Sequence, residues 1–204
     1  MTHTHISLVL PILMFGAIAL ADDTYQVHFV ENLNVGDAHV NITNTGANSA
    51  LSGSAIPPNI CVNVYAYDQA EELISCCGCL ITPNGLQALS VQKSLISNAL
   101  TPASPPTVVI KLVASKGGPC DASSVTPADL RHGLLAWNTS LQQNTSTRSP
   151  TYGVVQTAFS FADLTALELE SMTSICGYIQ ANGGNLGACK GCEVRGGANG
   201  SWFR

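Results

Sequence analysis

Charge is scarce in this chain. Asp, Glu, Lys and Arg make up 10 % of its 204 residues, against about 25 % in ordinary soluble domains. With 8 Lys and Arg against 13 Asp and Glu, the net charge is −5. No basic stripe is available to neutralise phosphates, so nucleic acid is not an expected partner. The surface must instead be coated by Asn, Ser, Thr, Gln and Gly. Such a coat offers little repulsion against association. The plain reading is a secreted domain with a neutral coat and no partner specified; the sharper one is a surface built for self-association or for contact with a neutral polymer or glycan.

Catalytic signatures are missing as well. There is no G-x-S-x-G elbow, H-E-x-x-H, P-loop or G-x-G-x-x-G, and no internal repeat. Histidine is limited to His3, His5, His28, His39 and His132. His28 and His39 lie on strand-like segments whose alternation points them to solvent. A triad assembled from distant residues leaves no such signature, but nothing positive supports one. The expectation is a non-enzymatic protein with no cofactor.

Residues 1–21 read as a secretory signal peptide. An apolar run over 6–20 ends in Ala19-Leu20-Ala21, a small-x-small cleavage site before Asp22-Asp23. The run is short for a bilayer span of about 20 residues. His3 and His5 leave with the signal, and no membrane span is expected after cleavage. The remainder is expected to form one domain, 22–195, with a flexible tail at 196–204.

What the chain does have is a dense central stretch, ICVNVYAYDQAEELISCCGCLITPNG at 60–85, holding four of the eight cysteines. Residues 60–67 alternate as a strand, with Ile60, Val62, Val64 and Ala66 opposite Cys61, Asn63, Tyr65 and Tyr67. Residues 68–72 form a polar loop. Residues 73–82 return as a second strand, and Asn84-Gly85 supplies the positive φ of a tight turn. A loop centred on Ala70 sets Cys76 on the Val/Ile face and turns Cys61, Cys77 and Cys79 the other way. Cys76 and Cys77 are not expected to bridge each other. Adjacent Cα atoms lie about 3.8 Å apart, and disulfides usually want roughly 4.4–6.8 Å.

Further strands are expected at 24–30, 38–43, 88–92, 95–99, 107–114, 134–141 and 152–159. Short strands with regular turn signals predict a mainly β protein, an antiparallel β-sandwich compatible with Greek-key connections. One helix breaks the pattern at about 161–182. Ser160 is its expected N-cap, Asn182-Gly183 its stop, and Phe161, Leu164, Leu167, Met172, Ile175, Cys176 and Ile179 its apolar stripe. Glu168 falls near the middle of that stripe. A carboxylate so placed can act as a base when its pKa is raised, but no partner acid or base is evident. The Gly-rich end carries Cys189 and Cys192, with Trp202 and Phe203 in a frayed terminus. Asn41, Asn138, Asn144 and Asn199 begin N-x-[ST] sequons.

An even cysteine count behind a signal peptide predicts a disulfide framework of Cys61, Cys76, Cys77, Cys79, Cys120, Cys176, Cys189 and Cys192. Cys176 lies on the helix stripe, so a Cys76–Cys176 bridge from sheet to helix is expected. Cys61, Cys77 and Cys79 then find partners among Cys120, Cys189 and Cys192. The rival reading takes the two C-x-x-C spacings, Cys76, Cys79, Cys189 and Cys192, as a metal or thiol-redox set. A thioredoxin-like role is disfavoured, because Cys189 follows a helix C-terminus rather than sitting at an N-terminus.

At ICVNVYAYD…EELISCCGCLITPNGL and the later C-G-Y-I-Q-A-N-G-G…C-K-G-C, the chain resembles a group of secreted, cysteine-rich bacterial proteins with no established activity. The resemblance implies bacterial export and carries no catalytic residues. The combined reading is a secreted or envelope-associated structural or binding module. The alternatives are a metal or thiol-redox protein, and a hydrolase with a scattered site.

Overall fold

The computed structural model describes residues 23–50, 59–101, 103–144, 151–184 and 186–192. The expected signal peptide and the 196–204 tail, with Asn199, Trp202 and Phe203, lie outside them.

Among the described residues, nine strands and one α-helix follow in order: β1 (Tyr25–Val30), β2 (His39–Asn44), β3 (Ile60–Tyr67), β4 (Leu73–Ile81), β5 (Leu86–Ser90), β6 (Val108–Lys116), β7 (Leu134–Asn144), β8 (Thr151–Ala158), β9 (Ser160–Phe161) and α1 (Ala166–Asn182). One sheet has the order β4-β3-β6-β1-β9, the other β5-β2-β7-β8. All pairings are antiparallel. This is the mainly β, disulfide-stapled sandwich with a C-terminal helix that the strand pattern predicts. No helix among the described residues is long and apolar enough to cross a membrane.

The layers number three. Val62, Val64, Ile110 and Leu112 of the first sheet face Val40, Ile42, Leu89 and Leu134 of the second across the main core. The other face of the first sheet carries Tyr25, Tyr65 and Val113, which pack under Leu169, Met172, Cys176 and Ile179 of α1. Each fully buried aliphatic side chain contributes roughly 1.5–3 kcal/mol, so packing holds α1 more than helix propensity does. The two-sided cover explains β3, in which Ile60–Ala66 is buried without alternation. On its helix side, Tyr65 Oη donates to the Ala122 carbonyl at 2.7 Å. Asn63 Nδ2 donates to Val113 O and Ser115 Oγ at 3.0 and 2.9 Å.

The hairpin register differs from the expected one, and a bulge is the cause. Tyr67 pairs with Leu73, as a loop centred on Ala70 requires, but Ala66 pairs with Ser75. Ile74 is the extra residue. From there on every β4 side chain is inverted. Cys76 opposes Tyr65 on the helix face, while Cys77 and Cys79 oppose Val64 and Val62 on the sandwich face. The turn after β4 is as expected, with Asn84 taking φ 59°.

Three other expectations are corrected. Of the strands expected at 88–92 and 95–99, the first is present as β5, shifted to Leu86–Ser90, and the second is not: β5 runs into a single π-helical turn, Val91–Leu95, capped by Ser90 Oγ accepting from Lys93 N–H at 2.8 Å. The helix starts later than 161, because Ser160 and Phe161 are spent pairing with Val27 and Gln26 of β1. Its N-cap is Thr165, whose Oγ1 accepts from Glu168 N–H at 3.1 Å. The buried stripe is Leu169, Met172, Thr173, Cys176 and Ile179. Leu167 and Ile175 are exposed. Finally, His28 is half-buried, its ring centroid 4.9 Å from that of Phe159, and burial lowers its pKa. His39 is exposed, as expected.

Candidate functional site

β4 is the outer strand of its sheet, and such an edge invites another chain to pair. Here the last described residues cover it. Cys76 N–H donates to Gly187 O at 2.9 Å and Cys189 N–H to Cys76 O at 3.4 Å, as a short parallel bridge at Ala188. Gly187 takes φ 75°, and a Cβ there would collide with Ile179 Cγ2. Gly187 N–H also bonds Asn98 O at 2.6 Å, Lys190 N–H bonds Ser94 O at 2.7 Å, and Gln87 Nε2 bonds Gly191 O at 3.1 Å. The loop therefore closes the gap between the β4 edge and the β5 side of the sandwich.

Sulfur locks this cover. The bridges are Cys61–Cys120, Cys76–Cys176, Cys77–Cys189 and Cys79–Cys192. The helix-to-sheet link runs through Cys76 even though the expected register put Cys76 on the wrong face, because α1 lies on the face the bulge turns it to. Gly78 sits between the two cysteines of the sandwich face, and its own position points the other way, where a Cβ would lie 2.6 Å from Cys120 O. The C-C-G-C glycine is thus the signal for a chain crossing that sequence reasoning missed.

The metal set suggested by the C-x-x-C spacings, Cys76, Cys79, Cys189 and Cys192, is not brought together. Cys76 points to the helix, and its sulfur is bonded to Cys176. On the sandwich side, the sulfurs of Cys77, Cys79 and Cys192 all lie within 4.8 Å of one another. Cys77 Sγ and Cys192 Sγ, which are not bonded to each other, are 3.3 Å apart.

Glu168 sits on the flank of the stripe, not at its centre. It forms an ion pair with Lys111, whose Nζ lies 4.7 Å from the Tyr67 ring centroid. Burial, then the Glu168 charge, pushes the Tyr67 phenol up to about 12. The same two causes raise Tyr25. His132 Nδ1 lies 2.7 Å from Asp23 Oδ1, and Asp23 Oδ2 accepts from Gly133 N–H at 2.7 Å. That carboxylate anchors the chain just before β1.

Two shallow grooves flank the sheet. One of about 370 Å³ lies between α1 and the 123–127 loop, with Glu170 as its acid. The other, of about 320 Å³, has Asp68 and Glu71 beside Phe29. Neither includes a histidine. Of the sequon asparagines, Asn138 is buried, Asn41 is half-buried and donates to Thr139 Oγ1 at 3.1 Å, and Asn144 is exposed.

β8 is the contrasting edge. It pairs with β7 on one side, and among the described residues no strand pairs with the other. All its residues but Val155 are exposed, Val154 at 70 % and Tyr152 at 56 %. TYGVVQTA holds no charge and no proline, the usual devices that blunt an edge.

No family model matches the sequence, and no curated protein matches it. Among solved structures, the crystal structure of Thermotoga maritima 1070 is similar at 9 % identity, over 67 % of this chain and 94 % of that one, with a TM-score of 0.37. A likeness this slight carries no functional argument.

Proposed function

We propose that this is an exported, non-enzymatic structural or binding protein of the bacterial envelope or exterior, and that it associates with further copies through the β8 edge. The observation that carries the reading is that edge, an eight-residue, uncharged, exposed strand on a domain whose opposite edge is covered and stapled. A second β8 placed antiparallel would satisfy the open backbone groups and bury Tyr152 and Val154. With little charge at the seam, salt has little to screen. Four disulfides favour an oxidising compartment. The 1–21 pattern supplies the route, with cleavage before Asp22.

Light scattering across a concentration series tests the association. The expected result is a mass that rises above the monomer, is insensitive to salt, and returns to monomer in Val154→Lys with unchanged circular dichroism. A wild-type monomer at every concentration overturns it. If that monomer binds an uncharged glycan, the edge serves a polymer instead. Exported protein that still begins at Met1 overturns the signal cleavage.

A further inference from the structure

We propose that Cys77, Cys79, Cys189 and Cys192 form a two-state site: two disulfides when oxidised, and a four-thiolate seat for one Zn²⁺ when reduced. A tetrahedral zinc with Zn–S bonds of about 2.3 Å holds its sulfurs about 3.8 Å apart. Three of these sulfurs already lie within 4.8 Å of one another, and the unbonded Cys77–Cys192 pair is at 3.3 Å. The fourth, Cys189, is bonded to Cys77. Opening both bridges and drawing Cys189, which lies outside that group of three, toward Cys79 and Cys192 completes a tetrahedron.

The ligands come in a favourable pattern. Cys77 and Cys79 project from one face of β4, two residues apart. Cys189 and Cys192 form a C-x-x-C turn, with Gly191 at φ 86° permitting the tight return. The turn is also held without sulfur, by the hydrogen bonds of Gly187, Lys190 and Gly191 to Asn98, Ser94 and Gln87. Breaking both bridges therefore leaves the thiols facing one another.

Access separates this cluster from the helix bridge. Cys79 is 2 % exposed, but each bridge of the cluster offers a partly exposed sulfur, Cys77 and Cys189 in one and Cys192 in the other, whereas Cys76 and Cys176 are 1 % and 0 % exposed under α1. A thiolate reaches exposed disulfides first. The reductant is a dithiol. Each of two dithiols gives two electrons and two protons to one bridge and becomes a disulfide itself, leaving four cysteine thiols. Binding Zn²⁺ then releases four protons and leaves a tetrathiolate centre of net charge −2.

The test treats folded protein with a dithiol, removes it under argon, maps the thiols by alkylation, and titrates with Co²⁺ as a spectroscopic stand-in. The expected result is free thiols at these four cysteines with Cys76–Cys176 intact. One Co²⁺ per chain should then bind with thiolate charge-transfer and tetrahedral ligand-field bands, and Zn²⁺ should displace it. Cys77→Ser and Cys192→Ser should each weaken Co²⁺ binding at least tenfold, while Cys76→Ala/Cys176→Ala should keep the spectrum. Octahedral or absent Co²⁺ spectra overturn the proposal. So do equal affinity in the Cys77 and Cys192 variants, and loss of the β-sheet dichroism on reduction that metal does not restore.

Discussion

Gln26 serves Leu134 as a substitute strand. From β1 of one sheet its Nε2 donates to the Leu134 carbonyl of the other at 2.7 Å, and its Oε1 accepts from Ala136 N–H at 3.2 Å. β8 ends at the Trp137–Ala158 pair, so the amide takes over the open side of β7 where the neighbouring strand has run out. It is fully buried in doing so. Gln26→Leu keeps the bulk but strands both backbone groups. Each buried unsatisfied group costs about 1–3 kcal/mol, so a loss of about 2–4 kcal/mol is expected. Urea denaturation of oxidised protein measures it, and a loss under about 0.5 kcal/mol contradicts the role.

The Cys76–Cys176 bridge spans 100 residues. Loop-entropy reasoning gives such a closure up to about 4.7 kcal/mol, with about 2–4 typical. Cys76→Ala/Cys176→Ala is expected to destabilise the domain by about 3 kcal/mol. Hydrogen exchange should show residues 166–182 losing protection before the strands. Loss spread evenly over sheet and helix would mean that the bridge does not act locally.

Glu168 is expected to act on the Tyr67 phenol without holding the fold. The Lys111–Glu168 pair has 22 % and 37 % exposed side chains, so Glu168→Gln should change stability by about 1 kcal/mol or less. Removing the negative charge should bring Tyr67 down from about 12, while burial, the larger cause, keeps it above its ordinary 10.0. Ultraviolet titration, with Tyr67→Phe identifying the residue's own signal, reads the shift. An unmoved titration would show that burial alone sets it.

Asp129 is a source of acid sensitivity. Hydrogen bonding to Lys116, whose Nζ lies 2.6 Å from Oδ1, together with Thr126, holds its carboxyl at about 2 instead of 3.8. A pKa lowered by folding stabilises the protein above the unfolded value, and the contribution fades as pH falls through the folded one. Asp129→Asn should therefore be less stable than the parent at neutral pH, with the gap closing between about pH 4 and pH 2. A gap independent of pH would assign the effect to geometry, not charge.

How far the sequence reveals this fold depends on which forces are local. The alternation of Ile60, Val62 and Val64 marks one sandwich face, because core burial rewards it directly. Asn84 takes its positive φ because its side chain tolerates that backbone. The Ile74 bulge has no such local cause, and it reversed the faces of Cys76, Cys77 and Cys79. Ser160-x-x-Asp163 and Thr165-x-x-Glu168 are equally good helix starts on paper. Pairing of Ser160 and Phe161 with β1, a contact from across the chain, decides for Thr165. Likewise His28 and Gln26 read as the polar face of a strand until a second sheet covers them. In the sulfur seam, the cysteines were legible as a set. Replacing Cys76 by Cys77 in the cluster required the bulge.

Three of the four bridges join β4 to the final stretch of the described chain, and this orders events during synthesis. As the chain emerges, Cys61, Cys76, Cys77 and Cys79 come first, and none of them is another's partner. Cys120 completes one pair. The three thiols of β4 must then stay unspent until residues 176, 189 and 192 follow. Any oxidant that acts before residue 176 has emerged can produce wrong pairs but only one right one. The C-terminal segment is thus a clasp that closes last, and a chain truncated before residue 176 would carry three orphaned thiols on an unguarded strand.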